Sequence, residues 1–318
     1  VSLRVSVVIP TYNRLHDVKR ALASLRLQHL PEDEFEVIVV EDGGNDDTFA
    51  DLTVMARSWS ALRVEFQKNA GPATARNRGA ALARSGILAF LDSDTVAQQG
   101  WLEAGLKRLE ADADLFAVEG RVLPDLQARE TPFTESVQNP EGGRWLSCNL
   151  FVRRQAFLEL GGFDERFKQP IREDSEFAFR AMEAGLRIAF EPGAVVQHPV
   201  RQVTLWRYFH HAQEGKYEAL IRRSHPESYK RHFKWLDGRA IPAYYWAHFA
   251  AVLLLPFSWG LALCSLALGT VALTYAWCRK RKLALWDPFL LVIPALLVPY
   301  LRLYWVLLGE MRYPQSPE

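Results

Sequence analysis

The chain predicts an α/β protein: a mostly parallel sheet with helices on both faces, followed by C-terminal membrane helices. Three observations predict it. In residues 1–200 short β-branched runs alternate with segments of helical periodicity, the pattern of repeated βαβ units. Charge is split. Residues 1–200 carry 23 basic and 30 acidic side chains, whereas residues 201–318 carry 15 and 7. Residues 243–277 contain no Asp, Glu, Lys or Arg. At roughly 150 residues per domain the chain has room for about two. The organisation reads as a first domain 1–200, a basic and aromatic amphipathic segment 201–242, and a membrane-embedded part 243–310.

The elements follow in order. Val5–Ile9, Val37–Val40 and Ile87–Leu91 are apolar runs suited to strands buried on both faces. Arg63–Gln67 is a shorter, more amphipathic strand. Between them Asp17–Gln28, Thr48–Arg57 and Ala73–Arg84 have helical periodicity. A helix opens near Ile171 and runs to about Ala184, and a short strand lies around Val195–Val196. Thr204–Arg223 reads as one helix with Leu205, Tyr208, Phe209 and Ala212 on one face, either a solvated domain helix or an interfacial one against anionic headgroups, the second favoured by the apolar run that follows. The 35 uncharged residues 243–277 exceed the roughly 20 that span a bilayer, and Pro256–Gly260 interrupts them. A tilted single span and a hairpin both remain open. The basic cluster Arg279–Lys282 favours the hairpin, because short Lys/Arg-rich loops stay cytoplasmic. Phe289–Leu308 is a second apolar stretch with one charge, Arg302.

Composition excludes several classes. Hydrophobic residues at 49% and charged residues at 24% exclude a disordered chain. A net charge of +1 disfavours a nucleic-acid partner. Three cysteines show neither a disulfide framework nor zinc-ligand spacing, which suits a reducing compartment. Val5–Ile9 is too short for a signal peptide and ends in Pro10, so none is expected. No Gly-X-Gly-X-X-Gly follows the first strand, and no Gly-Lys-Ser/Thr occurs. A dehydrogenase and a P-loop enzyme are thereby disfavoured.

Ligands of open α/β sheets sit at the carboxyl ends of the strands. The first strand runs into Pro10-Thr11-Tyr12-Asn13-Arg14 and the second into Glu41-Asp42-Gly43-Gly44. A carboxylate there serves either a nucleobase imide and ribose hydroxyls or a plain helix-capping turn. Arg76 and Arg78 stand in the first two turns of a helix, against its macrodipole. A phosphate or an acidic loop would explain them. The fourth strand ends in Asp92-Ser93-Asp94, two carboxylates able to aim at one hard cation shared with a diphosphate. Glu173 and Asp174 open a later helix, where capping is the bland alternative. His198 stands before Pro199, where a closing strand could bring it to the metal.

The succession VSVVIPTYNR, VVEDGGNDDT, NAGPATARNRG, AFLDSDT, GGFDERF, REDSEFAFR and VVQHP resembles the GT-A-fold family 2 glycosyltransferases over about residues 4–200. The resemblance implies a GT-A-like, Rossmann-type sheet, a nucleotide-diphosphate sugar donor, a divalent metal (Mg²⁺ or Mn²⁺) and transfer with inversion. Uracil is the base it points to, with guanine and thymine left open. It implies that Pro10, Thr11 and Tyr12 border the base and Asp42 contacts it. Arg76 would lie near the nucleotide, and Asp92 near ribose and metal. Asp94 would ligate the metal, and His198 would ligate it or touch phosphate. Asp174 matches the catalytic base, with Glu173 beside it. Trp145, Asn149, Gly162 and Asp164 match the acceptor side. Glu41 replaces the family's commoner Asp. Gln202–Arg207 does not fit the Gln-X-X-Arg-Trp pattern of processive synthases, which favours single-sugar transfer over polymerisation. A lipid-linked or cell-envelope glycan acceptor, membrane lipids as partners and a catalytic domain facing the cytoplasm (at the plasma membrane, if bacterial) complete the expectation. The rival is a catalytically silent membrane receptor for nucleotide sugars, disfavoured by the intact Asp92, Asp94 and Asp174.

Overall fold

The computed structural model describes residues 2–125, 131, 133–233, 245–278 and 291–313. The expected cluster Arg279–Lys282, residues 234–244 and Phe289–Leu290 lie outside the described residues. The chain divides into two compact units, Val1–Asp125 with Ser136–Pro199, and Leu126–Glu135 with Val200–Glu318.

The first unit opens with β1 (Val5–Thr11), α1 (Leu15–Arg26), β2 (Phe35–Glu41), α2 (Thr48–Ala56), β3 (Leu62–Phe66), α3 (Pro72–Leu82) and β4 (Ile87–Leu91). It continues with β5 (Val96–Ala97), α4 (Trp101–Glu110) and β6 (Leu115–Pro124). After β7 (Thr134–Glu135), which belongs to the other unit, come β8 (Asn149–Arg153), α5 (Arg154–Glu159), α6 (Glu173–Glu183) and β9 (Arg187–His198). The eight-stranded sheet has the order β3-β2-β1-β4-β8-β6-β9-β5. Strands β1 to β4 pair in parallel, β8 runs antiparallel between β4 and β6, and β6 pairs with β9 in parallel.

Burial on both faces is visible residue by residue. Val5, Val7, Ile9, Val37 and Val39 join one core with Leu22 of α1 and Leu106 of α4. Their neighbours Val8, Ile38, Val40 and Phe90 join another with Ala80 of α3 and Phe177 of α6. That is the period-two alternation of a strand sandwiched between two helix layers. Strand β9 is longer than the two-residue run expected. Its register on β6 shifts between Gly120 and Arg121, where Pro192 and Gly193 lie opposite. Proline and glycine inside a continuous strand mark such a bulge.

The second unit pairs β7 with β10 (Arg201–Gln202). It then runs through α7 (Trp206–Ala212), α8 (Gly215–Ser224), α9 (Pro226–His232), α10 (Trp246–Leu254), α11 (Trp259–Cys278) and α12 (Val292–Arg312). The helix expected over Thr204–Arg223 is two helices. Tight i to i+3 bonds, Gln213 N–H to His210 C=O and Glu214 N–H to His211 C=O, close α7, and Gly215 restarts the chain against α12. The uncharged run is likewise two helices, broken at Leu255–Ser258. Helix α10 folds back along α11, with Ser265 Oγ donating to Ala247 C=O at 2.8 Å. By length and composition α11 and α12 are each apolar enough to cross a membrane.

Candidate active site

The carboxyl ends of β1, β2 and β4 and the amino ends of α3 and α6 converge on one cluster. Its centre is Arg76, a guanidinium only 2% exposed. Its Nη2 donates to Asp92 Oδ1 at 2.7 Å and its Nη1 to Glu173 Oε1 at 3.2 Å. Burial opposes the charge of Arg76, but Asp92, Glu173 and Asp174 outweigh it and raise its pKa above the ordinary arginine value. The misplaced dipole partner in α3 is thus explained by acidic residues, as a buried ion cluster requires. Arg78 points elsewhere, to Glu65 at 3.4 Å.

Asp92, Asp94 and His198 present one ligand atom each, all within 4.8 Å of one another. Asp94 Oδ2 accepts from Arg14 Nη1 at 2.7 Å, and Asp94 Oδ1 lies 3.9 Å from His198 Nε2. His198 Nδ1 is 3.2 Å from the Pro199 carbonyl. A carbonyl only accepts, so the neutral ring keeps its proton on Nδ1 and turns the Nε2 lone pair toward Asp94. Two carboxylates and an imidazole form a donor set that suits a divalent cation such as Mn²⁺ or Mg²⁺.

Asp174 lies beside Glu173 at the start of α6. Ser147 donates to it from both its hydroxyl and its backbone N–H. The other oxygen, Oδ1, is buried and has no hydrogen-bond partner among the described residues. Burial raises the pKa of both carboxyls; Arg76 opposes the rise in each. Burial and the carboxylates of Asp92, Asp174 and Asp94 also push the Cys148 thiol up, so it stays neutral behind the site. Thr11 Oγ1, Glu41 Oε2 and Arg76 Nε are likewise buried without partners among the described residues. A buried polar group left unpaired costs about 1–3 kcal/mol; these four lie near the strand and helix ends of the cluster, and others, such as those of Trp59, Glu103 and Arg121, lie elsewhere among the described residues.

Asp42 is held from the protein side. Gln67 Nε2 and the Ala70 N–H donate to its Oδ1 at 2.7 and 2.9 Å, and the Gly71 N–H to its Oδ2 at 2.8 Å. These bonds fix the approach to α3, where Gly71 has φ +98° and a Cβ would sit 3.0 Å from the Lys168 carbonyl oxygen. Pro10 and Thr11 are buried at the end of β1, and Tyr12 is exposed beyond it. Trp145 is half-buried, stacks edge-on against Phe179 of α6 at 5.7 Å, and precedes Ser147 by two residues. The other acceptor-side residues spend their polar groups inside the fold. Asn149 accepts from Trp101 Nε1 and donates to the Arg121 and Ala194 carbonyls. The Gly162 carbonyl accepts from Arg180, and Asp164 pairs with Arg166 in its own turn.

Spacing did not reveal Arg14, Ser147, Gln67 or Glu119. Glu119 accepts from Asn139 Nδ2 and from the N–H groups of Gly143, Arg144 and Trp145, and so fixes the Trp145 loop. Arg14 and Gln67 follow strand ends and were open to that rule; Ser147 and Glu119 carried no such signal. The non-glycine residues with positive φ among those described are Asn13, Trp145 and Arg172. Each is a near neighbour of a site group: Arg14, Ser147 and Glu173 respectively.

Comparison with known proteins accords with this geometry. The profile of glycosyl transferase family 2 matches residues 6–160, and that of glycosyl transferase family group 2 matches residues 143–308. The chain belongs to glycosyltransferase family 2. It is 31% identical over 215 residues to the pre-mycofactocin glycosyltransferase of Mycobacterium tuberculosis, covering 62% of this chain and 43% of that protein. It is 30% identical over 209 residues to glycosyltransferase AglE of Haloferax volcanii, covering 62% and 67%. The match thus spans less than half of the mycobacterial relative. Among solved structures, a mannosyltransferase of Pyrobaculum calidifontis, in complex with GDP-Man and Mn²⁺, aligns with a TM-score of 0.64 at 20% identity, covering 94% of this chain and 88% of that one. GalNAc-T7 with UDP, GalNAc and Mn²⁺ aligns at 0.54 and 17% identity, covering 71% and 51%. The GT-A-like α/β fold expected from the sequence is the fold observed.

Proposed function

We propose that the protein is an inverting transferase that moves one sugar from a nucleotide-diphosphate donor, read as UDP-linked, to a hydroxyl of a lipid-linked or cell-envelope glycan. The observation that carries the reading is the unpartnered Asp174 Oδ1 beside the cluster of Arg76, Asp92, Asp94 and His198. Pro10, Thr11 and Tyr12 border the base, Asp42 contacts it, and Asp92 lies toward the ribose. Asp94, Asp92 and His198 would hold the divalent metal, which would supply charge neutralisation at the departing diphosphate. Arg76 adds a fixed positive charge on the same side. Asp174 Oδ1 takes the acceptor hydroxyl proton. The acceptor oxygen forms its bond to the anomeric carbon as the bond from that carbon to the diphosphate oxygen breaks, and the diphosphate leaves with the electron pair. One base with no opposing nucleophile gives a single displacement. Glu173 acts on Arg76, and Trp145 offers an aromatic wall to the acceptor. The apolar helices of the second unit hold the enzyme at a membrane, with the first unit on the cytoplasmic side.

The test is Asp174→Asn, assayed with a panel of nucleotide sugars and native membrane lipids. Transfer should fall by about 10²–10⁴-fold, the range for loss of a general base, while donor and metal affinity change by no more than a few fold. A mutant transferring at the parent rate would remove the base assignment. A silent receptor would bind donor and release no nucleotide in either form.

A further inference from the structure

The site holds two arginines, and they are built for different work. Arg76 is 2% exposed. Its Nη1 and Nη2 are spent on Glu173 and Asp92, so an anion outside meets its charge but not its N–H groups. Arg14 is the converse. Its side chain is 37% exposed, against 6% for the Asp94 it pairs with, so it forms the outer member of that pair. Its Nη1 donates to Asp94 Oδ2 at 2.7 Å. The edge formed by Nε and Nη2 has no partner among the described residues.

Two features hold this guanidinium ready. The backbone before it is pinned. Asn13, with φ +51°, accepts through Oδ1 from the Asn45 and Asp46 N–H groups at 2.8 and 3.3 Å. The end of β1 is thereby tied to the turn after β2. That turn closes directly on Asn13, since a Cβ at Gly44 would lie 2.5 Å from Asn13 Oδ1. The side chain is then held by Asp94 from 80 residues away. A side chain already ordered gives up less rotamer freedom on binding. Asp94 uses its two oxygens for different partners: Oδ2 accepts from Arg14, and Oδ1 faces His198 Nε2 at 3.9 Å. Arg14 can therefore keep its bond while Asp94 serves in the group with Asp92 and His198.

A diphosphate reaching this cluster meets the carboxyl groups of Asp92, Asp94, Glu173 and Asp174. Ionised carboxylates accept hydrogen bonds and donate none, so phosphate oxygens need donors from elsewhere. A guanidinium edge offers two parallel N–H groups that match phosphate geometry. We infer that Arg14 binds the donor diphosphate directly through Nε and Nη2, while Arg76 acts on it through its field alone. The inference rests on the nucleotide-diphosphate donor proposed above, and it divides between two arginines a role that the sequence pattern gave to Arg76.

Calorimetry on the full chain at rising Mn²⁺ concentrations tests it. UDP, GDP and dTDP are titrated, and the tightest is carried forward beside its own nucleoside. Arg14→Gln should weaken the diphosphate by about 10–100-fold, the range for losing hydrogen bonds to a charged group, and leave the nucleoside unchanged. The gap should persist at every Mn²⁺ concentration. Arg14→Lys should lie between, since an ammonium keeps the charge and loses the fork. Unchanged diphosphate affinity in Arg14→Gln overturns the inference. Equal losses for nucleoside and diphosphate overturn it too, by marking a distorted β1–α1 turn. So does a return to parental affinity as Mn²⁺ is raised, because Arg14 would then act only through Asp94. A parent chain that binds none of the three diphosphates more tightly than its nucleoside removes the donor reading itself, and the inference with it.

Discussion

The two units each bury an arginine among carboxylates, and the two clusters are charged differently. Around Arg76 stand Asp92, Asp94, Glu173 and Asp174, with Arg14 as the second cation. Carboxyl groups outnumber cations there, although burial raises the pKa of Glu173 and Asp174 and so favours their neutral forms. In the second unit Arg207, Arg302 and His211 face Glu135, Glu214 and Glu218. Burial works against the charge on His211, but Glu135 and Glu214 outweigh it and lift its pKa to about 9. At neutral pH that network is balanced. The difference teaches how to tell a site from a strut. A balanced network completes itself, whereas one with surplus carboxyl groups has room for a cation from outside, and Asp92, Asp94 and His198 are the group that could hold one.

The largest expected effect comes from breaking each cluster at its arginine. Arg76→Ala leaves buried carboxylates uncompensated and should cost about 3–5 kcal/mol as well as transfer activity. Lysine at that position should not restore it, because one ammonium cannot reproduce the fork that reaches both Asp92 and Glu173. Arg302→Met leaves Glu218 its bond from Tyr229 and should cost less, about 1–3 kcal/mol. Urea unfolding in detergent compares the two, and equal losses would erase the distinction. Next, Asp94→Ala should weaken metal-dependent donor binding by about 100-fold or more, since losing even an outer partner of a metal ligand costs about 10–100-fold. Calorimetry with Mn²⁺ and nucleotide reads it. Undiminished metal-dependent binding would show that the surplus charge serves something else.

The smallest effect is a pH dependence in the balanced network. His211 moves from 6.5 to about 9 on folding, so its contribution is full below 6.5 and lost as pH rises through about 9. For Glu135 burial opposes the charge, but His211 and Arg207 prevail and lower its pKa from 4.5 to about 2. Its contribution is present above 4.5 and lost as pH falls through about 2. Both groups remain partly exposed, so His211→Gln should cost only about 0.2–1 kcal/mol near pH 6. The difference from the parent should vanish at high pH. Unfolding midpoints at the two pH values check it.

The first hundred residues were legible because local rules and tertiary packing agree there. Every expected strand and helix from Val5 to Leu91 forms within two residues of its expected ends. Strand β6 was not legible. Its pattern is broken by Glu119 and Gly120, and the reason for a buried glutamate lies in the 139–145 loop, not nearby in sequence. The break between α7 and α8 was hidden for a similar reason, since Gly215 answers to α12, about ninety residues on. At the site, residue types at strand ends pointed to Asp42, Asp92 and Asp94, and residue types at helix starts to Arg76, Glu173 and Asp174. Their partners were not readable: Arg14 meets Asp94 across 80 residues, and Ser147 reaches Asp174 from another element. Asn149 shows the converse. It fits the acceptor pattern, yet its amide is consumed by three bonds, one from Trp101 of α4 and two to carbonyls of β6 and β9.

Asn13, Trp145 and Arg172 hold their left-handed backbones at φ values of 51°, 53° and 70°. For side chains other than glycine such dihedrals cost about 1–2 kcal/mol each, and each lies within two residues of a site group: Arg14, Ser147 and Glu173–Asp174. A redesign aimed only at heat resistance would reach these three positions early, because glycine relieves the torsion at each. Arg172→Gly in particular would let the first turn of α6 relax. Under the function proposed above, such a chain would gain at most that amount of stability and work more slowly, the Asp174 carboxylate no longer held in one direction. Thermal tolerance and turnover are therefore set against each other at individual dihedrals in this enzyme.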